Sequence, residues 1–450
     1  MWPSTGCLSR PRRGGWHQHA VALLATLLLA ASATAPASAA PNPKADELKE
    51  AINADYKFSR TNWDSAVMND TLSNLKLESI IWSARPPRFQ FTVFTQLTLN
   101  RLPTLFNMCA SFSGPLSAAV FLPVVQPLDS RGRGGEALSE GSRGKIAEAA
   151  AEVERLHARV EEDASMCQLD IMLFYEVYDS DQSKLLYPVN YLRNYARMQV
   201  RTRLLAMIDV DMYMSASLSA EMEAPGSIAR YEVLCAERRA TVLPAFEPTK
   251  PGALGRIMAT NISRVTKAQL GAMHGRNKAA MQFKLRVFPR GHTPTDYPRW
   301  FAASQPYQVT YKRFYEPWFI TCEEIMPWYD VDFRGYGMNK IILIAALNYY
   351  NYSFWIHPAA WLVHNPHTDT EVRKVVAEEA SQVNKHRAVL PANALYRKLT
   401  VLFGRAKRGM MKGNYEPRTD PRQMAVYGRV AWLPQPPRLV GSPTPESVFT

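Results

Sequence analysis

Long apolar runs, paired-cysteine motifs and clustered charge are all scarce in this 450-residue chain, and each shortage excludes something. No Cys-x-x-Cys occurs among its 5 cysteines, so a structural zinc site is not expected. The one long apolar stretch, Ala20 to Ala35, would span roughly 24 Å as a helix, short of the ~30 Å hydrocarbon core of a bilayer. Lys and Arg number 53 against 40 Asp and Glu, a formal net charge of +13, yet they are dispersed and no nucleic-acid motif accompanies them. Such a balance reads as a solvated basic surface that also favours anionic substrates. What the chain has in quantity is apolar residues: 47% hydrophobic and 11% aromatic content can bury a full core, which rules out disorder and fits one large domain or two medium ones.

Arg10, Arg12 and Arg13 lie in an acid-free segment ahead of that apolar stretch, and setting them aside leaves +10 on the remainder. Pro36-Ala37-Ser38-Ala39-Ala40-Pro41 follows, with the small-x-small form of a signal-peptidase site. Residues 1–40 are therefore read as a signal peptide, with retention as a signal anchor the alternative. In both cases the chain beyond residue 40 enters the secretory lumen. With Cys7 in that segment, Cys109, Cys167, Cys235 and Cys322 form an even set, open to three pairings. Of three sequons, those at Asn69 and Asn261 are expected at the surface, and that at Asn351, in an aromatic run, is expected to be buried.

The stretch that organises the chain is Leu204-Leu205-Ala206-Met207-Ile208-Asp209-Val210-Asp211. Five apolar residues predict a buried strand of a parallel sheet, and two carboxylates end it. Buried unpaired carboxylates are costly, so the pair should face a cleft at the strand's carboxyl end. Hard oxygens at i and i+2 suit Mg²⁺ or Mn²⁺, which in turn would hold a diphosphate.

Ahead of it, residues 41–84 read as a stem or packing helix. Arg88 to Gln96 reads as a strand, Leu99 to Phe112 as a helix and Leu116 to Val125 as a second strand. That opening of an α/β sheet puts Thr95 and Gln96 at a nucleotide-binding edge. Residues 127–144 are a loop by composition, and Lys145 to Asp163 has the spacing of an amphipathic helix. Leu169 to Val177 reads as a strand. In the helix opened by Tyr187-Pro188, Asn190, Arg193 and Asn194 share one face, from which an arginine could clasp a phosphate or carboxylate. Val242 to Glu247 and Phe314 to Ile320 read as strands. His292 and Glu316 stand among aromatic residues suited to stacking on sugar rings, although either alone is more often structural. Tyr329 to Lys340 is a glycine-punctuated turn opening the helix Ile341 to Tyr349, a candidate anion or acceptor site. Ala360 to His367 is an apolar strand ending in two histidines, and beside a carboxylate pair His364 would complete a metal site. Charged helices around Glu371 to Val383 and Ala394 to Phe403 precede a Pro-rich tail, 412–450, expected to be mobile.

In this order Tyr187-Pro-Val-Asn-Tyr-Leu-Arg-Asn, Ile208-Asp-Val-Asp-Met, Val242-Leu-Pro-Ala-Phe-Glu, Gly291-His-Thr-Pro-Thr, Tyr315-Glu-Pro-Trp, Phe333-Arg-Gly-Tyr-Gly-Met-Asn-Lys and Leu362-Val-His-Asn-Pro-His make the chain resemble glycosyltransferase family 49. That family includes the glucuronyltransferase domain of LARGE and a β-1,4-glucuronyltransferase. The resemblance covers about Arg88 to Phe403, within a catalytic domain read as 85–411, and no second glycosyltransferase domain is present. It implies an α/β fold of GT-A type, a Rossmann-like mixed sheet carrying an Asp-x-Asp motif, with a UDP-sugar donor, Mn²⁺ (or Mg²⁺) and a Golgi location of type II topology.

By the same resemblance Asp209, Asp211 and His364 are the metal set, with His367 ranked second. It also implies inversion at the anomeric carbon, with the acceptor hydroxyl deprotonated by an acid for which Glu316, Asp330, Asp332 and Asp296 are candidates. Thr95, Gln96, Asn190, Arg193, Asp209 and Lys340 are the expected donor-binding residues. Arg193, Arg334 or Lys340 could meet the carboxylate of a UDP-glucuronate donor. The competing readings are a catalytically silent carbohydrate-binding relative, a transferase using UDP-xylose, UDP-GlcNAc or UDP-glucose, and a nucleic-acid-binding protein. The last fails on the lumenal signal.

Overall fold

The computed structural model describes residues 42–128, 137–275 and 278–449; the expected N-terminal targeting segment and part of the expected 127–144 loop lie outside them. In chain order the strands are β1 (Lys76–Ile81), β2 (Phe91–Thr98), β3 (Pro115–Val125), β4 (Gln168–Tyr178), β5 (Leu204–Met207), β6 (Met212–Met214), β7 (Arg239–Leu243), β8 (Ala245–Pro248), β9 (Ala280–Gln282), β10 (Tyr307–Val309), β11 (Trp318–Cys322), β12 (Ser353–Ile356) and β13 (Leu362–His364). Nine of them build one mixed sheet in the order β1-β4-β3-β2-β5-β11-β7-β12-β10, and β6-β13-β8-β9 form a second.

β2 is parallel to β3 on one side and to β5 on the other. The chain winds outward from β2 through β3 to β4, then returns to lay β5 on the opposite flank. That reversal is a topological switch point, where open α/β sheets form a ligand crevice outside the strands' carboxyl ends. Strand β5 is apolar and buried throughout, as a strand covered on both faces must be. It ends at Met207, and β6 starts at Met212 in the other sheet, so Asp209 and Asp211 occupy the step between the two sheets. The mixed α/β architecture expected from the sequence is thus observed.

The reading of Val242 to Glu247 as one strand is corrected. The segment is two strands in different sheets, separated by Pro244, which has no N–H to continue a ladder. Its carbonyl instead accepts from the Leu362 amide, leading the chain onto β13.

Residues 41–84 hold the helices Pro43–Asn53 and Trp63–Met68 and the edge strand β1, antiparallel to β4. Beyond residue 412 the chain is docked: the helix Pro421–Arg429 buries Val426 and Tyr427, and Phe449 is buried too. Asn351 is exposed, like Asn69 and Asn261, because it sits in a left-handed turn after the helix Asn339–Tyr349, not inside the aromatic packing.

Disulfides join Cys109 to Cys167 and Cys235 to Cys322. The first ties the helix Leu102–Ala110 to the start of β4, the second the helix Ser227–Ala236 to the end of β11. Among the described residues no helix is long and apolar enough to cross a membrane.

Candidate active site

The helix Val189–Met198 is buried along its whole length although it carries Asn190, Arg193, Asn194 and Arg197. Buried polar groups need partners, and most of these find them on one neighbouring segment. Asn190 Nδ2 donates to the Asp330 carbonyl and Asn194 Nδ2 to that of Tyr329, while Arg197 reaches the carbonyls of Pro327 and Glu323. Asn190 is therefore a clamp on that segment, and its remaining Oδ1 accepts from Arg193 at 3.1 Å.

Arg193 turns the other way. Its Nη2 donates to Asp209 Oδ1 at 3.2 Å and its Nη1 to Asn339 Oδ1 at 3.1 Å. Asp209 Oδ2 accepts from Lys340 Nζ at 2.7 Å and from Trp318 Nε1 at 3.1 Å. Burial pushes the Asp209 carboxyl up, but Lys340 and Arg193 outweigh it and hold the group below the usual carboxylate range. Lys340 Nζ also lies 3.4 Å from Glu316 Oε1 and 4.1 Å from the centre of the Trp318 ring. Behind Trp318, His292 stacks nearly parallel to the indole at 5.5 Å. Burial lowers His292 to about 3, so it is a neutral packing partner.

Lys340 opens the helix Asn339–Tyr349 directly after a turn in which Gly335 takes φ +74°. A Cβ at Gly335 would press 2.9 Å from a Leu395 methyl as well, so a side chain there is both strained and crowded.

Two residues beyond Asp209 the partners change. Asp211 Oδ2 lies 2.7 Å from His367 Nε2 and 3.4 Å from Arg101 Nη1. His364 ends β13 opposite Met212, and the Asn365 amide donates to the Asp211 carbonyl at 2.7 Å, which fixes the two strand ends against each other. One ligand atom from each of Asp211, His364 and His367 falls within 4.8 Å of the others. Burial lowers His364 to about 4, leaving the neutral imidazole that can ligate a metal. Burial pushes the Asp211 carboxyl up, but the His367 hydrogen bond and the surrounding cations hold it well below the ordinary range.

His367 Nδ1 is 2.6 Å from the Thr368 carbonyl, so both of its ring nitrogens face oxygen acceptors. A proton on each nitrogen, or a cation between Nε2 and Oδ2, satisfies that arrangement. A carboxylate and two imidazoles with an outward opening fit a divalent cation of the Mn²⁺ type. Asp209 lies outside this cluster, and its oxygens accept from Lys340, Arg193 and Trp318.

The other expected residues fall elsewhere. Thr95 is wholly buried and Gln96 nearly so, and as consecutive strand residues they face opposite sides of the sheet. Strand β2 runs on to Thr98, and the crevice is reached by Arg101, which the sequence reading passed over because a lone arginine after a strand carries no signal. Arg334 pairs with the buried Glu176 at 2.8 Å, away from Asp209 and Asp211. Asp296 caps the helix Tyr297–Ala302. Asp330 bonds Tyr415, and Asp332 pairs with Arg405 and Arg418, so neither carboxylate shares a partner with the acidic pair. Of the four candidate bases only Glu316 touches the site.

The sequence pattern of the family described as "Glycosyl-transferase for dystroglycan" matches residues 139–399, a span that holds Asp209, Asp211, Glu316, Lys340, His364 and His367. The chain is 27% identical over 286 residues to the glycosyltransferase-like protein LARGE of Caenorhabditis elegans, covering 63% of this chain and 39% of that one. To the human xylosyl- and glucuronyltransferase LARGE2 it is 26% identical over 328 residues, 73% of this chain and 40% of the relative. It thus spans about two fifths of the length of these relatives. Solved structures aligned with it include S. aureus TarS with UDP-GlcNAc (TM-score 0.28, 9% identity, 76% of this chain and 80% of that one). Another is GalNAc-T7 with UDP, GalNAc and Mn²⁺ (TM-score 0.30, 9% identity, 72% and 57%).

Proposed function

The chain belongs to the family described as glycosyl-transferase for dystroglycan, and from that premise we propose its reaction: metal-dependent transfer of glucuronic acid from UDP-glucuronate to a hydroxyl of a glycan or glycoprotein acceptor, with inversion. The observation that carries this reading is the side-by-side placement of two sets, Asp211–His364–His367 and Asp209–Lys340–Arg193–Glu316, at the switch point. The first set would hold a divalent cation of the Mn²⁺ type, which when bound supplies positive charge against the leaving diphosphate.

Residues of the second set act on the donor and acceptor. Lys340 and Arg193, pre-oriented by Asp209 and Asn339, present fixed cations to the donor's anionic groups without reorganisation at the moment of reaction. Glu316 takes the proton from the acceptor hydroxyl. The acceptor oxygen then bonds to the anomeric carbon from the face opposite UDP, and the bond from that carbon to the UDP oxygen breaks with its electron pair leaving on UDP. Two disulfides and the N-terminal apolar segment support a secretory location, Golgi-anchored or released after cleavage.

UDP release by the purified protein, measured against a panel of UDP-sugars with and without Mn²⁺ and alongside Asp211→Asn, tests the proposal. Manganese-dependent turnover with UDP-glucuronate, lost in the variant, is expected. Equal turnover with UDP-glucose would replace the donor. Binding of neither UDP nor Mn²⁺ would leave a carbohydrate-binding relative in its place.

A further inference from the structure

A second polar cleft, of about 480 Å³, opens between the helix Leu395–Lys412, the docked segment 414–418 and the segment around Asp332. No lining side chain of this cleft is bonded to Asp209, Asp211, Lys340 or either ligand histidine. Its floor is built: the Asp332 carboxylate is 2% exposed and held by Arg405 from the helix and by Arg418 from the docked segment, while Tyr415 Oη bonds Asp330. Above that floor Arg408 and Lys412, four residues apart on the helix, have no ion-pair partner among the described residues. Glu416, at the rim, is likewise unpaired among them.

Four cations therefore face three acids, and one of the acids, Asp330, is pushed up to about 7 by burial and by Asp332, so the cleft carries net positive charge at neutral pH. The Arg408 guanidinium and Lys412 ammonium, with the exposed Asn414 amide and Glu416 carboxylate also lining the cleft, suit a ligand that bears an oxyanion and hydroxyls, while the Asp332 and Tyr415 groups below them are held within the protein. The volume lies in the range of ordinary small-molecule sites. We infer that this cleft is a second saccharide site, separate from the donor site, that takes a sugar bearing a carboxylate or phosphate and so tethers an anionic glycan. The inference rests on the chain's family, not on the identity of its donor.

Calorimetric or NMR titration of the whole protein with glucuronate, glucose 6-phosphate, glucose and inorganic phosphate, with and without saturating UDP and Mn²⁺, tests it. Saturable binding of an anionic sugar is expected, unchanged by UDP and Mn²⁺ and weakened about tenfold in Arg408→Ala/Lys412→Ala. Glucose and free phosphate should bind more weakly than glucose 6-phosphate. Whether glucuronate or glucose 6-phosphate binds tighter identifies the anion. Both substituted residues are exposed, and Arg408→Ala alone gives a milder check should the double variant not fold. Absence of binding, equal affinity in the folded variant, or free phosphate matching the sugar phosphate overturns the inference.

Discussion

Lys340 sets its ammonium 2.7 Å from Oδ2 of Asp209, and the same nitrogen lies 3.4 Å from Glu316, so one cation bridges the first acid of the Asp-x-Asp motif and the carboxylate proposed as base. Its side chain is only 12% exposed, and removing it takes from Glu316 its ion-pair partner and leaves Asp209 to Arg193 and Trp318. Lys340→Met should lower kcat/KM on the order of 100-fold. Because Asp209 and Lys340 act as a unit, adding Asp209→Asn should cost far less than the product of the single losses, which a double-mutant cycle measures.

Asp209 stands apart from the Asp211–His364–His367 cluster, so the proposed function assigns metal binding to the cluster and donor binding to the set around Asp209. Mn²⁺ titrations followed by electron paramagnetic resonance should show affinity falling at least about tenfold in His364→Ala and His367→Ala and disappearing in Asp211→Asn. Asp209→Asn should keep Mn²⁺ within a few-fold of wild type while raising KM for the donor. Equal loss of metal in both Asp variants would place Asp209 among the ligands.

Assignment of the base to Glu316 makes a sharp contrast among carboxylates. Glu316→Gln keeps the shape and a hydrogen-bonding oxygen near Lys340 but cannot take a proton, so kcat should fall by about 10²–10⁴ with donor KM little changed. Asp330→Asn and Asp296→Asn should retain most activity, since neither carboxylate meets the site.

The candidate site was legible where local pattern and chemistry coincide. An apolar run ending in Asp209 and Asp211, a second ending in His364, and the glycine turn before Lys340 each announce a strand or helix end, and the fold needs only to bring those ends together. What stayed hidden depends on partners far along the chain. Asp332 reads as a free acid until Arg405 and Arg418, more than 70 residues later, close on it. Asn190 reads as a donor-binding residue, but its amide nitrogen is given to the Asp330 carbonyl. The residues after 412 look mobile from their prolines, yet Tyr415, Val426 and Phe449 bury against the core, and burial at that range has no local signature.

Asp330 offers a test of stability against pH that is independent of catalysis. Burial, and then the neighbouring Asp332 charge, raise its carboxyl to about 7, far above the value near 3.9 of an unfolded chain. The folded protein thus binds this proton more tightly than the unfolded one. The stabilisation is complete below about pH 4 and is lost as pH rises through about 7. Above that, a charge must sit between Tyr415 and the Asp332 amide with no cation of its own. An asparagine there keeps an acceptor for the Asp332 amide and a donor for the Tyr415 oxygen, and it does not ionise. Wild-type protein should therefore lose about 1–2 °C of Tm between pH 6 and 8 relative to Asp330→Asn, read by scanning calorimetry at constant ionic strength. Parallel melting curves for the two proteins across that window would mean that Asp330 is ionised throughout, neutralised by the arginines around Asp332.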